Sequence, residues 1–121
     1  MNDSILTSVK KQLNVPESDT SFDPEIIMYI NSALMTIMQE WYGVEHAFQI
    51  EGKQETWSDF LGDNETDYEG LKVLIALKVK LLFDPPTNSA LIEAINKQIE
   101  DLEWRMYIWK DNLRLDQKVQ E

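Results

Sequence analysis

The chain has 121 residues, 43% of them hydrophobic, no cysteine, and a formal net charge of −11. That length suits one modest core, burying roughly two thirds of the surface the unfolded chain exposes. The missing cysteine excludes disulfides, thiolate nucleophiles and cysteine-ligated zinc, and the acidic surplus repels phosphate, which argues against sequence-specific nucleic-acid binding. The longest apolar stretch, about 13 residues interrupted by Lys72, Lys78 and Lys80, is too short to cross a bilayer. Met1 is followed by the polar Asn2, Asp3 and Ser4 rather than by a signal peptide, so a soluble, cytoplasmic chain with no membrane partner is expected.

The charge is concentrated. Residues 40–70 hold nine acids (Glu40, Glu45, Glu51, Glu55, Asp59, Asp63, Glu65, Asp67, Glu69) against Lys53 alone, whereas residues 71–121 hold eight acids and eight bases.

Taken in order, residues 4–13 place Ile5, Leu6, Val9 and Leu13 at helical spacing, with Asp3 or Ser4 as the cap and an end before Pro16. A polar linker leads to Asp23-Pro24, a cap and first helical position for a second helix reaching Trp41 or Tyr42. Ile26, Ile30, Ala33, Ile37 and Trp41 form its stripe, widened by Ile27, Leu34 and Met38. Met28, Met35 and Met38 read as core filler, the usual use of methionine at this spacing. Residues 43–64 are irregular: the alternation over 47–50 permits a short strand, and 55–61 can make one or two helical turns carrying Trp57, Phe60 and Leu61 inward.

A third helix is predicted from Thr66 or Asp67 to Phe83, before Asp84-Pro85-Pro86. It is apolar nearly all round, leaving only Lys72, Lys78 and Lys80 to meet water, so it should lie at the centre of the domain, walled in by neighbouring subunits as well. A fourth helix, capped by Thr87, Asn88 or Ser89, carries Ile92, Ile95, Ile99, Leu102, Met106, Trp109 and Leu113 in a heptad pattern, which suits packing on the third helix or a coiled coil. Trp104, Tyr107 and Ile108 fall off that stripe, and residues 111–121 read as a polar tail that frays. The fold expected is all-α: a bundle of about four helices in one domain spanning 1–121, with a long irregular loop between the second and third.

No reaction centre is visible. His46 is the only histidine and has no nucleophile in view. The acids of residues 63–67 alternate as in a calcium loop, but an EF-hand needs Gly and an acid where Tyr68 and Leu74 stand. No phosphate-cradling glycine loop exists, so no enzyme, cofactor or metal is expected.

The succession of a short capping helix, SFDPEIIMYINSALMTIMQ, a loop bearing Trp57 and Phe60, LKVLIALKVKLLFDPP and ALIEAINKQIEDLEWRM resembles the small helical head–tail connector proteins of tailed bacteriophages, also called head-completion or DNA-packaging adaptor proteins. The likeness runs from about Ser4 to Tyr107 and is most specific at the FDPEI helix start and the LLFDPP turn; residues 43–64 have no confident counterpart. The resemblance implies a non-enzymatic virion protein at the head–tail junction, assembled from the host cytoplasm as a ring, commonly dodecameric, beneath the portal protein. Such a ring extends the DNA channel and presents a platform to a downstream stopper or tail-completion protein. The family's C-terminal helix and tail are associated with the portal, which corresponds here to Trp104, Tyr107, Ile108, Trp109 and the segment after Asp111.

Two candidate surfaces follow. Lys72, Lys78 and Lys80 together with Trp104, Tyr107, Ile108 and Trp109 are candidates for subunit or portal contacts, and Glu45, Glu51, Glu55, Asp59, Asp63 and Glu65 for an acidic channel wall or a partner to those lysines on the next subunit. The rival reading is a helical adaptor or regulatory module binding a protein as a monomer or dimer through the fourth helix. A weaker third is an enzyme with an acidic metal site within 40–70.

Overall fold

The computed structural model describes the backbone of residues 3–42, 48–61 and 69–120 and the side chains of 3–39, 48–60 and 69–105. Five helices follow in order: α1 Ile5–Gln12, α2 Asp23–Tyr42, α3 Trp57–Leu61, α4 Glu69–Phe83 and α5 Ser89–Gln120. Four of these are the predicted helices, α3 is the short inward turn, and the described residues contain no strand.

Local chemistry sets the ends of α1. The Ser4 hydroxyl accepts from the Thr7 amide at 3.2 Å, satisfying one of the amides that a helix start leaves open. At the other end Asn14 adopts a left-handed φ of 60°, and the amides of Asn14 and Val15 return to the carbonyls of Lys11 and Lys10. This is the paired closure of a Schellman motif, with Asn in the place glycine more often takes.

Residues 13–22 then wind round one buried cation. Lys10 is only 3% exposed. Its ammonium donates to the carbonyls of Glu17 (3.1 Å) and Asp19 (2.8 Å) and lies 2.8 Å from Oδ1 of Asp23. Oδ1 is itself buried and has this ion contact in place of a well-aligned hydrogen bond. Removing an ammonium from water costs several kcal/mol, which the carboxylate and two carbonyls offset. Asp23 therefore does more than cap α2, because it ties the start of that helix back to α1.

The core is one apolar cluster drawn from every helix. Ile5, Leu6, Val9 and Leu13 meet Ile26, Ile30, Ala33, Leu34 and Ile37 of α2 and Leu71, Leu74, Ile75 and Val79 of α4, with Ile50, Trp57 and Ile99 closing it. Each fully buried aliphatic side chain contributes about 1.5–3 kcal/mol. Helix α4 packs against α1, α2 and α5 and is the central element, as its composition predicted.

Several expectations are corrected. Met28 and Met35 are 59% and 46% exposed, on the outward stripe of α2, and are not core filler. Only Met38 turns inward, where its sulfur accepts from the Phe48 amide at 3.2 Å. On α4 the residues expected to meet solvent trade places: Val73 is 48% exposed, whereas Lys72 is 17% exposed. The strand at 47–50 does not form over its described part. Instead the Asn31 amide brackets Ile50, donating to its carbonyl at 3.0 Å and accepting from its N–H at 2.8 Å, so a side chain supplies what a neighbouring strand would. Helix α5 runs to Gln120. No glycine or proline falls between Ser89 and Gln120, and Leu, Arg, Gln and Lys there are good helix formers.

The predicted start of α4 at Thr66 or Asp67, the predicted inward residue Leu61 and the predicted stripe residues Trp41, Met106, Trp109 and Leu113 lie outside the described residues or side chains.

Candidate assembly surface

The base of the 48–61 segment is pinned to the chain's beginning. Ile5 N–H donates to the Glu55 carbonyl at 3.0 Å and Trp57 N–H to the Asp3 carbonyl at 3.1 Å, an isolated antiparallel bridge between Ser4 and Thr56. Trp57, 1% exposed, drops into the core and gives its indole N–H to Ser8 Oγ at 3.0 Å. Phe60 meets Phe48 edge to face at 5.3 Å. The predicted aromatic anchors are therefore packed.

Of the acids expected on a common surface, two have local duties. Glu55 accepts from the amides of Glu51 (2.7 Å) and Gly52 (3.3 Å), closing the turn between them. Asp59 accepts from the Thr56 amide at 2.9 Å while Thr56 Oγ1 accepts from the Asp59 amide at 3.2 Å, a reciprocal cap for α3. The Glu51 residue is exposed. Glu45, Asp63 and Glu65 lie outside the described residues.

The three lysines of α4 do not share a face. Lys72 pairs with Glu69 at 3.2 Å and sits 5.8 Å over the Trp57 ring, a cation–π arrangement within its own chain. Lys80 reaches Asp84 at 4.0 Å, one turn on. Lys78, half-buried, makes no ion pair among the described residues and lies one turn beyond Leu74 and Ile75.

Helix α5 begins at Asn88, whose side-chain oxygen accepts from the Ala90 amide at 2.8 Å. The turn after Phe83 folds it back along α4, and Ile95, Ile99 and Leu102 of the predicted stripe join the core. At 15 residues, about 22 Å, α4 can accompany less than half of α5, which has 32 residues and runs about 48 Å. Trp104 is 61% exposed and lies roughly 160° round the helix from the Ile95, Ile99 and Leu102 stripe. Tyr107, Ile108 and Trp109 belong to the same helix, but their side chains are outside the described set.

Sequence reasoning missed a groove beside α1. About 630 Å³ in volume, it is floored by Val73 and Ala76 of α4 with Trp57 beneath, walled by Thr7 and Ser8, and ended by Lys11 and Glu17 on one side and Asp3 and Glu69 on the other. Sequence reasoning also missed Lys10 and Asn31. A signal existed for both, since Lys10 follows Leu6 by four and precedes Leu13 by three, and Asn31 stands likewise between Ile27 and Leu34.

Titratable groups clearly displaced from ordinary behaviour lie on the surface. The Asp19 carboxyl is lowered by hydrogen bonds from the Ser21 hydroxyl and amide, and the Tyr29 phenol is raised by its hydrogen bond to Glu25. Neither forms an acid–base pair for catalysis. Among the described residues no group of three or more His, Asp or Glu could hold a metal ion, and no helix is long and apolar enough to cross a membrane. His46 lies outside them. What the arrangement offers is surface: a groove and, on a different helix, an exposed tryptophan.

Residues 5–112 match the family model described as phage connector protein. No curated protein and no solved structure matches the chain.

Proposed function

Because this chain belongs to the phage connector protein family, a structural family, we propose that it joins head to tail in the virion by assembling as a ring, commonly of twelve copies, on the portal protein. The ring extends the DNA channel and offers its far side to a downstream stopper or tail-completion protein. The observation that carries the reading is the mismatch between α4 and α5. A 32-residue helix is held to a 15-residue one and is more than twice as long, and its Trp104 is 61% exposed. Tryptophan is the side chain most enriched among residues that anchor protein interfaces. In this reading Trp104 serves the contact between subunits, while Tyr107, Ile108, Trp109 and the helix beyond Asp111 reach the portal.

The acidic surplus fits the same role. A channel wall should let DNA slide, and a net charge of −11 repels phosphate rather than gripping it. With Glu55 and Asp59 engaged in local turns, the exposed Glu51 is the described acid left to face the channel or the next subunit.

The test is assembly on portal-bearing heads lacking this protein, viewed by electron microscopy. Wild-type chain should add a ring beneath the portal. Trp104→Ser should melt at the wild-type temperature yet fail to add it. Absence of any ring with wild-type chain sinks the reading, and a normal ring from Trp104→Ser removes Trp104 from the contact.

A further inference from the structure

We propose that the groove between α1 and α4 receives a second copy of this chain, accepting the outer face of its α5 around Trp104 in a head-to-tail contact. The proposal rests on the ring reading above and names the two surfaces that would make the ring.

The groove and the tryptophan belong to separate parts of one subunit. The groove is lined from α1, the linker after it, α3 and α4, and no described residue of α5 lines it. Unlike patches that fit each other on successive copies make a heterologous contact, and such contacts close into rings when the rotation per subunit allows it. A self-complementary patch would stop at a dimer.

Shape and apolarity agree. Val73 is 48% exposed on the groove floor, next to Ala76; the other strongly exposed aliphatic side chain described on α4, Leu82 at 52%, lies near the helix's far end and does not line the groove. Val73 is the apolar surface a tryptophan would cover. The groove runs beside the eight residues of α1, about 12 Å, and the α5 face from Lys97 to Trp104 spans about 10.5 Å.

Charge sets the register. Lys11, at one end of the groove, is exposed and forms no ion pair among the described residues. Glu100 is also exposed and without an ion pair among the described residues, and it stands one turn before Trp104 on a neighbouring part of the same face. With Trp104 over Val73, Glu100 of one copy comes to Lys11 of the next, while Lys97, a further turn away, approaches Glu17.

The chain contains no cysteine, so a single introduced thiol reports its neighbours cleanly. Lys11→Cys and Glu100→Cys, both at exposed positions that leave Trp104 and Val73 intact, are made as separate full-length variants, one of them tagged, and mixed on portal-bearing heads under mild oxidation. The expected result is a disulfide-linked dimer containing one of each, absent when either variant is used alone. Rings that form without the mixed cross-link overturn the groove contact while leaving the ring reading intact. Lys11→Cys linking to itself shows a symmetric contact and overturns it as well. No ring from the wild-type chain takes down the ring reading and this proposal together. Independently, Val73→Glu should retain the wild-type melting temperature and abolish the ring, and normal assembly of that variant counts against the groove.

Discussion

The linker between α1 and α2 and the long helix α5 are held to the core in opposite ways. Residues 13–23 are held by polar contacts, the Lys10 ammonium donating to two carbonyls and lying in ion contact with the Asp23 carboxylate. Among the described side chains, helix α5 joins the core through Ile95, Ile99 and Leu102, a non-directional apolar seam along its first half. Polar convergence specifies a conformation. With an apolar seam shorter than its helix, what lies beyond the seam must be covered by something else or stay in water.

Removing the ammonium is the most damaging way to break this comparison. Lys10→Met retains much of the volume but leaves Asp23 Oδ1 and two carbonyls without their partner, and should cost about 2–3 kcal/mol, below the range for a fully buried pair because Asp23 is 21% exposed. The midpoint of urea unfolding measures it, and an unchanged midpoint would mean that the clasp specifies nothing. Asn31→Ala comes next, at about 1–2 kcal/mol, since it strips two hydrogen bonds from Ile50. Hydrogen exchange should show the Ile50 amide losing protection before the core does. Trp104→Ser stands at the other pole, within about 0.5 kcal/mol of wild type, because its side chain is 61% exposed.

The smallest effect is on acid stability. Asp19, in the linker, is held below its ordinary value of 3.8 by Ser21. A carboxyl depressed on folding adds stability that is present above the unfolded value and is lost as the pH falls from there through the folded one. Ser21→Ala should bring the Asp19 carboxyl titration, followed by NMR, back up toward 3.8, with little change in stability at neutral pH because the group is on the surface. A carboxyl that titrates as in wild type would show that the Ser21 hydroxyl is not the cause.

Much of the fold was legible because helices announce themselves locally. The 3,4 spacing of Ile92, Ile95, Ile99 and Leu102, the Asp23-Pro24 start and the Pro85-Pro86 stop each depend on residues within a turn or two of one another. The faces of those helices were harder to read. Met28 and Met35 sit among isoleucines and resemble core, yet α2 meets its neighbours on its other side. Lys72 looks like a solvated charge, yet the Trp57 ring, fifteen residues away in sequence, gives it a place against its own chain. The candidate surface was legible at Trp104, which breaks a regular stripe. It was not legible at the groove, whose walls come from three helices and a linker.

By itself, then, the sequence determined an all-α chain, the limits of most helices, α4 as the central one and the resemblance that led to the connector family, all of which rest on short-range spacing and composition. Only the tertiary structure decided that Lys10 would be buried and Val73 exposed, that Asn31 would stand in for a strand, and that α5 would outrun its partner. Those outcomes depend on which distant segment reaches each side chain first, and on the cost of burying a charge or an amide without a partner when none does.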